Sequence, residues 1–112
     1  MLKAVGATCK AALRPSDTLA RLGGEEFVVL LPAADLRRAC ETAERLRCAI
    51  AALHIDTPLG VIGVTASFGC AKLDNDSADL AAVLASADAA LYVAKRDGRN
   101  RVAVASDRDV AA

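Results

Sequence analysis

Gly23 and Gly24 stand between two apolar, β-prone stretches, residues 18–22 and 26–31, and this junction constrains the fold more than any other feature. A Gly-Gly pair can take the positive φ values that a tight turn demands, so the flanking stretches predict a β-hairpin that stops at Pro32. Two carboxylates, Glu25 and Glu26, follow the glycines directly at the hairpin tip.

Helical spacing predicts the elements that must cover this hairpin. Leu2, Val5, Cys9 and Leu13 recur as one face of a first helix, and Arg14-Pro15 ends it because a residue before proline disfavours the helical region. From Asp35 onward, Leu36, Ala39, Cys40, Ala43, Leu46, Ile50 and Leu53 line one face of a long second helix. After the turn at Pro58-Leu59-Gly60, the alternation of Val64, Ala66, Phe68 and Cys70 predicts a strand over 61–71, closed by a polar stretch at 74–77. Leu80, Val83, Leu84, Ala87, Leu91 and Ala94 define a third helix stopping near Gly98. Residues 101–105 supply a last short strand, followed by a polar tail over 106–112.

The size and composition fit one globular domain, with 54% apolar and 25% charged residues in 112. With only 3% aromatics, its core must rest on Ala, Val and Leu, which bury less area per residue and imply modest stability. A formal net charge of zero excludes polyanion binding by bulk charge, so any anion needs a local site. The apolar runs are short and the N-terminus lacks the pattern of a secretory signal, which points to the cytoplasm. Cys9, Cys40, Cys48 and Cys70 form no C-x-x-C pair and accompany a single His, so they are expected as reduced core fillers rather than zinc ligands.

Glycines followed by carboxylates at a hairpin tip let backbone approach a nucleotide while an acidic group reaches its metal, and Mg²⁺ prefers such oxygen ligands. Taken alone, the motif is better explained as an ordinary Gly-Gly hairpin with two solvated Glu side chains, given how common short motif matches are. Its surroundings are more specific. The run from Leu19 to Pro32 resembles the signature hairpin of GGDEF domains in its GGEEF form. Ala43-Glu44-Arg45-Leu46-Arg47, Val64-Thr65-Ala66-Ser67-Phe68-Gly69, the segment from Ala87 to Lys95, and Gly98-Arg99-Asn100-Arg101-Val102 also look like the family, in family order.

The resemblance implies an α/β (α+β) fold of nucleotidyl-cyclase-like type, a mostly antiparallel sheet covered by helices, with residues 1–105 as a partial domain. It implies a diguanylate cyclase: two domains of a homodimer each present one GTP, a 3′-hydroxyl attacks the partner's α-phosphate, and cyclic di-GMP and pyrophosphate result. The protein's tasks there are positioning, metal binding and charge neutralisation. By resemblance Gly23 and Gly24 give the nucleotide room, Glu25 is a ligand for Mg²⁺ or Mn²⁺, and Glu26 supports metal binding or activates the hydroxyl. Lys95 and Arg99 match positions that contact GTP phosphates, although basic residues at a helix C-terminus also serve as solvated caps.

Arg14-Pro15-Ser16-Asp17 fits an R-x-x-D pattern, separated from Gly23 by residues 18–22 as in family members with a product-inhibition site. At about 3.3 Å per strand residue, Asp17 and the hairpin tip should lie on the order of 20 Å apart. Product bound there would act from a distance rather than by filling the GTP pocket. Arg45 resembles the family's secondary arginine for the same ligand, and the bland alternative is a local Arg14–Asp17 ion pair in a helix-ending turn.

The family's opening strand and helix, with their metal-binding Asp, Phe-Lys segment, guanine-reading Asn and Asp, and Gly-His…Gly-Asp turn, have no counterpart in the sequence. The expectation is impaired catalysis by this chain alone, with strands beside the missing one left short of partners. Three readings follow: a truncated nucleotidyltransferase, a cyclic di-GMP-binding module that uses the R-x-x-D site, and a folded remnant without a ligand.

Overall fold

Asp35 starts the helix around which the other elements are arranged. Its extended backbone and its carboxylate, which accepts from Arg38 N at 2.8 Å, cap α2, Leu36–Ala51. Thr42, Ala43, Leu46 and Ile50 are the buried face of α2, and Leu46 and Ile50 are each only 2% exposed. With Cys9 they form the core, ringed by Val5, Leu19, Val29, Val64 and Phe68 among others. Burying one such Leu or Ile contributes about 1.5–3 kcal/mol, so these two side chains supply much of what an aromatic-poor core can offer.

The computed structural model describes residues 2–23, 26–32, 34–72 and 80–105. Along the chain α1 is Leu2–Ala12, β1 Thr18–Gly23, β2 Glu26–Leu30, and, after α2, β3 is Ile55–Thr57, β4 Gly60–Ile62 and β5 Phe68–Cys70. Then come α3, Leu80–Arg96, and β6, Val102–Val104. The expected polar stretch 74–77 and the tail 106–112 lie outside the described residues.

Helices and small sheets make an α+β fold. The described strands pair as three two-stranded sheets: β1 with β2 and β3 with β4 are antiparallel, and β5 with β6 is parallel. The strand expected over 61–71 is corrected. Ladder pairing occupies only β4 and β5, and residues 63–67 between them belong to no strand. The alternation itself is real, because Val64 and Ala66 pack against the core while Thr65 is exposed. Alternation reports which way side chains face and says nothing about a backbone partner. β3 was not anticipated; it turns back into β4 at Thr57, whose Oγ1 donates to Gly60 O at 2.6 Å.

β5 is held against α3 without space for a side chain. A Cβ on Gly69 would sit 2.1 Å from Ala87 O and 2.4 Å from Leu91 N, both backbone atoms of the helix. Glycine is therefore what lets helix and strand approach this closely. One expectation about the cysteines also changes: Cys9 and Cys70 are buried, but Cys48 is exposed beside Glu44 and Arg47.

Candidate functional site

The turn after α1 is built reciprocally. Arg14 N donates to Asp17 Oδ2 at 2.9 Å, and Asp17 N donates to Arg14 O at 3.0 Å, with Pro15 at the second position where its fixed φ suits a turn. The Asp17 carboxylate thus holds backbone, not the Arg14 guanidinium. Among the described residues no ion pair engages Arg14, so the local contact of the R-x-x-D pattern is a helix-ending turn held by Asp17 on backbone and not a side-chain salt bridge.

Arg14, Asp17 and Arg45 come together in one cavity of about 130 Å³, walled by Leu31 and Pro32 at the end of β2. Asp17 immediately precedes β1, whereas Gly23 ends that strand, so cavity and hairpin tip stand at opposite ends of it. Sequence reasoning missed one member. Arg38 also lines the cavity, four residues before Thr42 and seven before Arg45 on the same side of α2. That spacing is a signal in the sequence, since Arg38 and Arg45 lie two turns apart on one side of the predicted second helix.

At the hairpin tip the ladder runs Thr18↔Leu30 through Arg21↔Phe27 and then Gly23↔Glu26, which passes over Leu22 as a bulge. Gly23 is consequently part of the strand, and Glu26 is exposed at the start of β2. Gly24 and Glu25 lie outside the described residues. Among the described residues no group of three or more His, Cys, Asp or Glu side chains is placed to hold a metal ion.

Lys95 lies in the last turn of α3, and Arg99 follows in the connection to β6; both are exposed. Arg99 N donates to Ala94 O at 2.9 Å across Gly98, whose φ of 129° gives the expected glycine-terminated helix end. Arg99 itself has φ 62° and Asn100 φ 47°. Among the described residues no ion pair joins Glu26 to Lys95 or Arg99.

The turn is instead tied to α2. Arg47 Nη1 donates to Asn100 Oδ1 at 2.9 Å, while its Nε and Nη2 engage the Glu44 carboxylate. Asn100 N donates to Ser67 Oγ at 3.1 Å. The Arg47 guanidinium lowers the Glu44 pKa, chiefly through these hydrogen bonds.

Residues 1–101 match the family model described as diguanylate cyclase, GGDEF domain. This chain belongs to the GGDEF diguanylate cyclase family. A GGDEF relative, diguanylate cyclase DgcP of Pseudomonas aeruginosa, is 44% identical over 105 residues, covering 94% of this chain and 16% of the relative. The active GGEEF domain of a diguanylate cyclase from Vibrio cholerae superposes with TM-score 0.85 at 26% identity, covering 95% of this chain and 67% of that one. The GGDEF domain of DgcB from Caulobacter crescentus, solved in complex with c-di-GMP, has TM-score 0.81 at 32% identity, covering 93% of this chain and 62% of that domain. This chain thus spans a small part of its curated GGDEF relatives. Among its described residues no helix is long and apolar enough to cross a membrane.

Proposed function

We propose that this GGDEF chain, through residues 1–105, binds cyclic di-GMP in the cavity formed by Arg14, Asp17 and Arg45. The convergence of these three side chains, from a turn and a helix far apart in sequence, carries the reading. Guanidinium groups form paired hydrogen bonds with phosphate oxygens or the Hoogsteen edge of guanine, and a carboxylate accepts from guanine N–H donors. Asp17 has one oxygen committed to Arg14 N and a second with which to accept. The c-di-GMP complex of the related DgcB domain supports this ligand class.

The second reading is the family reaction, supported by family membership. In it the chain contributes part of a GTP site in a cytoplasmic homodimer. Gly23 and Gly24 pass close to the nucleotide, Lys95 and Arg99 neutralise its phosphates, and Glu26 orients or deprotonates a 3′-hydroxyl. That oxygen forms a bond to the α-phosphorus of the partner's GTP as the bond to pyrophosphate breaks. A divalent ion, Mg²⁺ or Mn²⁺, would supply charge neutralisation when bound, with Glu25 as its ligand.

Titration of the purified, folded chain with cyclic di-GMP in a calorimeter tests the first reading. Saturable binding at micromolar or lower concentration is expected in the wild type, with loss in Arg14→Ala and Asp17→Ala. No heat from a folded sample, or undiminished affinity in both variants, rejects it. Pyrophosphate release from GTP tests the second reading independently.

A further inference from the structure

The cavity holding Arg14 and Asp17, at about 130 Å³, is smaller than the roughly 300–1,000 Å³ usual for small-molecule sites. A second cavity of about 550 Å³ adjoins it, and Arg14, Arg38, Thr42 and Arg45 line both. A dinucleotide that enters the first must extend across this shared boundary into the second.

The arginines shared by the two cavities identify what the boundary is suited to hold. A cyclic dinucleotide carries two phosphodiester charges on one ring. Arg14, Arg38 and Arg45 line both cavities, whereas Asp17 lines only the first and Asp35, Arg37 and Glu41 only the second. Among the described residues no ion pair occupies the Arg38 guanidinium, whereas the adjacent Arg37 is paired with Glu41 at 3.5 Å. The Asp35 carboxylate is used on the Arg38 backbone N–H, which fixes the first turn of α2. Arg38 and Arg45 are seven residues apart, so they stand two helical turns, about 10 Å, from one another along α2. Two such cations, with the small side chain of Thr42 between them, offer separate positions to two phosphates.

We propose that Arg38 is a third phosphate-binding arginine of this site and that the ligand lies across both cavities. The assignment rests on the cyclic di-GMP reading above and adds to it a residue and a ligand path along α2.

The test compares Arg38→Gln with Arg96→Gln, an exposed arginine of α3 that lines neither cavity, in the same calorimetric titration. Each removes one positive charge from a helix, and glutamine keeps arginine's helix propensity, so circular dichroism should be unchanged. Arg38→Gln is expected to weaken cyclic di-GMP binding by at least about tenfold, the cost of charge-assisted hydrogen bonds, and Arg96→Gln by less than about threefold. Arg38→Lys, which keeps the charge but loses the planar fork, should fall between, and it gives the same test should the glutamine variant not fold. Equal losses in the Arg96 and Arg38 variants, or none at Arg38, overturn the assignment while leaving the product site intact. Absence of binding by the wild type overturns both.

Discussion

Arg47 and Asn100, 53 positions apart, meet at 2.9 Å and fasten α2 to the turn that carries Arg99. The Glu44 carboxylate orients the guanidinium from the other side. Arg47→Ala should therefore accelerate hydrogen exchange at the Asn100 amide while leaving core amides such as that of Leu46 unchanged. Equal acceleration at both would mean global destabilisation instead of a loosened turn.

The same cluster has a pH signature. The Arg47 partner lowers the folded-state Glu44 pKa below its ordinary 4.5, so its contribution is fully present above that value and is lost as pH falls through the lowered one. Thermal midpoints of wild type and Glu44→Gln should differ slightly at neutral pH and converge in acid. A gap that persists unchanged at pH 3 would contradict this account.

Leu46→Ala should cost about 2–5 kcal/mol in urea denaturation, since it empties the centre of a core with few large side chains. The smaller truncation Ile50→Val should cost about 0.5–1.5 kcal/mol.

Gly69→Ala is expected to prevent normal folding, because the atoms 2.1 and 2.4 Å from the new methyl are main chain and cannot rotate away. Gly63→Ala, with nothing within 4 Å of the added carbon, is the matched control and should leave the circular dichroism spectrum unchanged.

Thiol labelling should separate the four cysteines. Cys48 is exposed and should react first, whereas burial pushes the Cys70 thiol up to about 12, with Cys40 adding to the effect. Burial raises the Cys9 pKa as well. Native protein at pH 8 should modify Cys48 well before Cys9 or Cys70, as read by peptide mass spectrometry.

Much of this was legible in the sequence because it depends on local periodicity. The apolar face through Leu46 and Ile50 and the helix stop at Gly98 follow from spacing and from a residue that tolerates positive φ. The hairpin was legible too, but its bulge at Leu22 was not, since register depends on which backbone groups face each other. Residues 63–67 alternate like a strand but pair with none, and the Arg47–Asn100 bond joins segments that share no local pattern. Arg14, Asp17 and Arg45 were grouped by family resemblance. Arg38 escaped because a charged helix residue reads as solvated until the opposing wall of the cavity is known.

Arg45 and Arg47 are two positions apart on α2, which at 3.6 residues per turn sets them about 200° apart around its axis. One faces the cavity with Arg14 and Asp17, and the other grips the turn with Arg99. One short stretch of α2 therefore serves two opposite neighbours, one guanidinium lining the cavity beside Asp17 and the other held by the turn before β6.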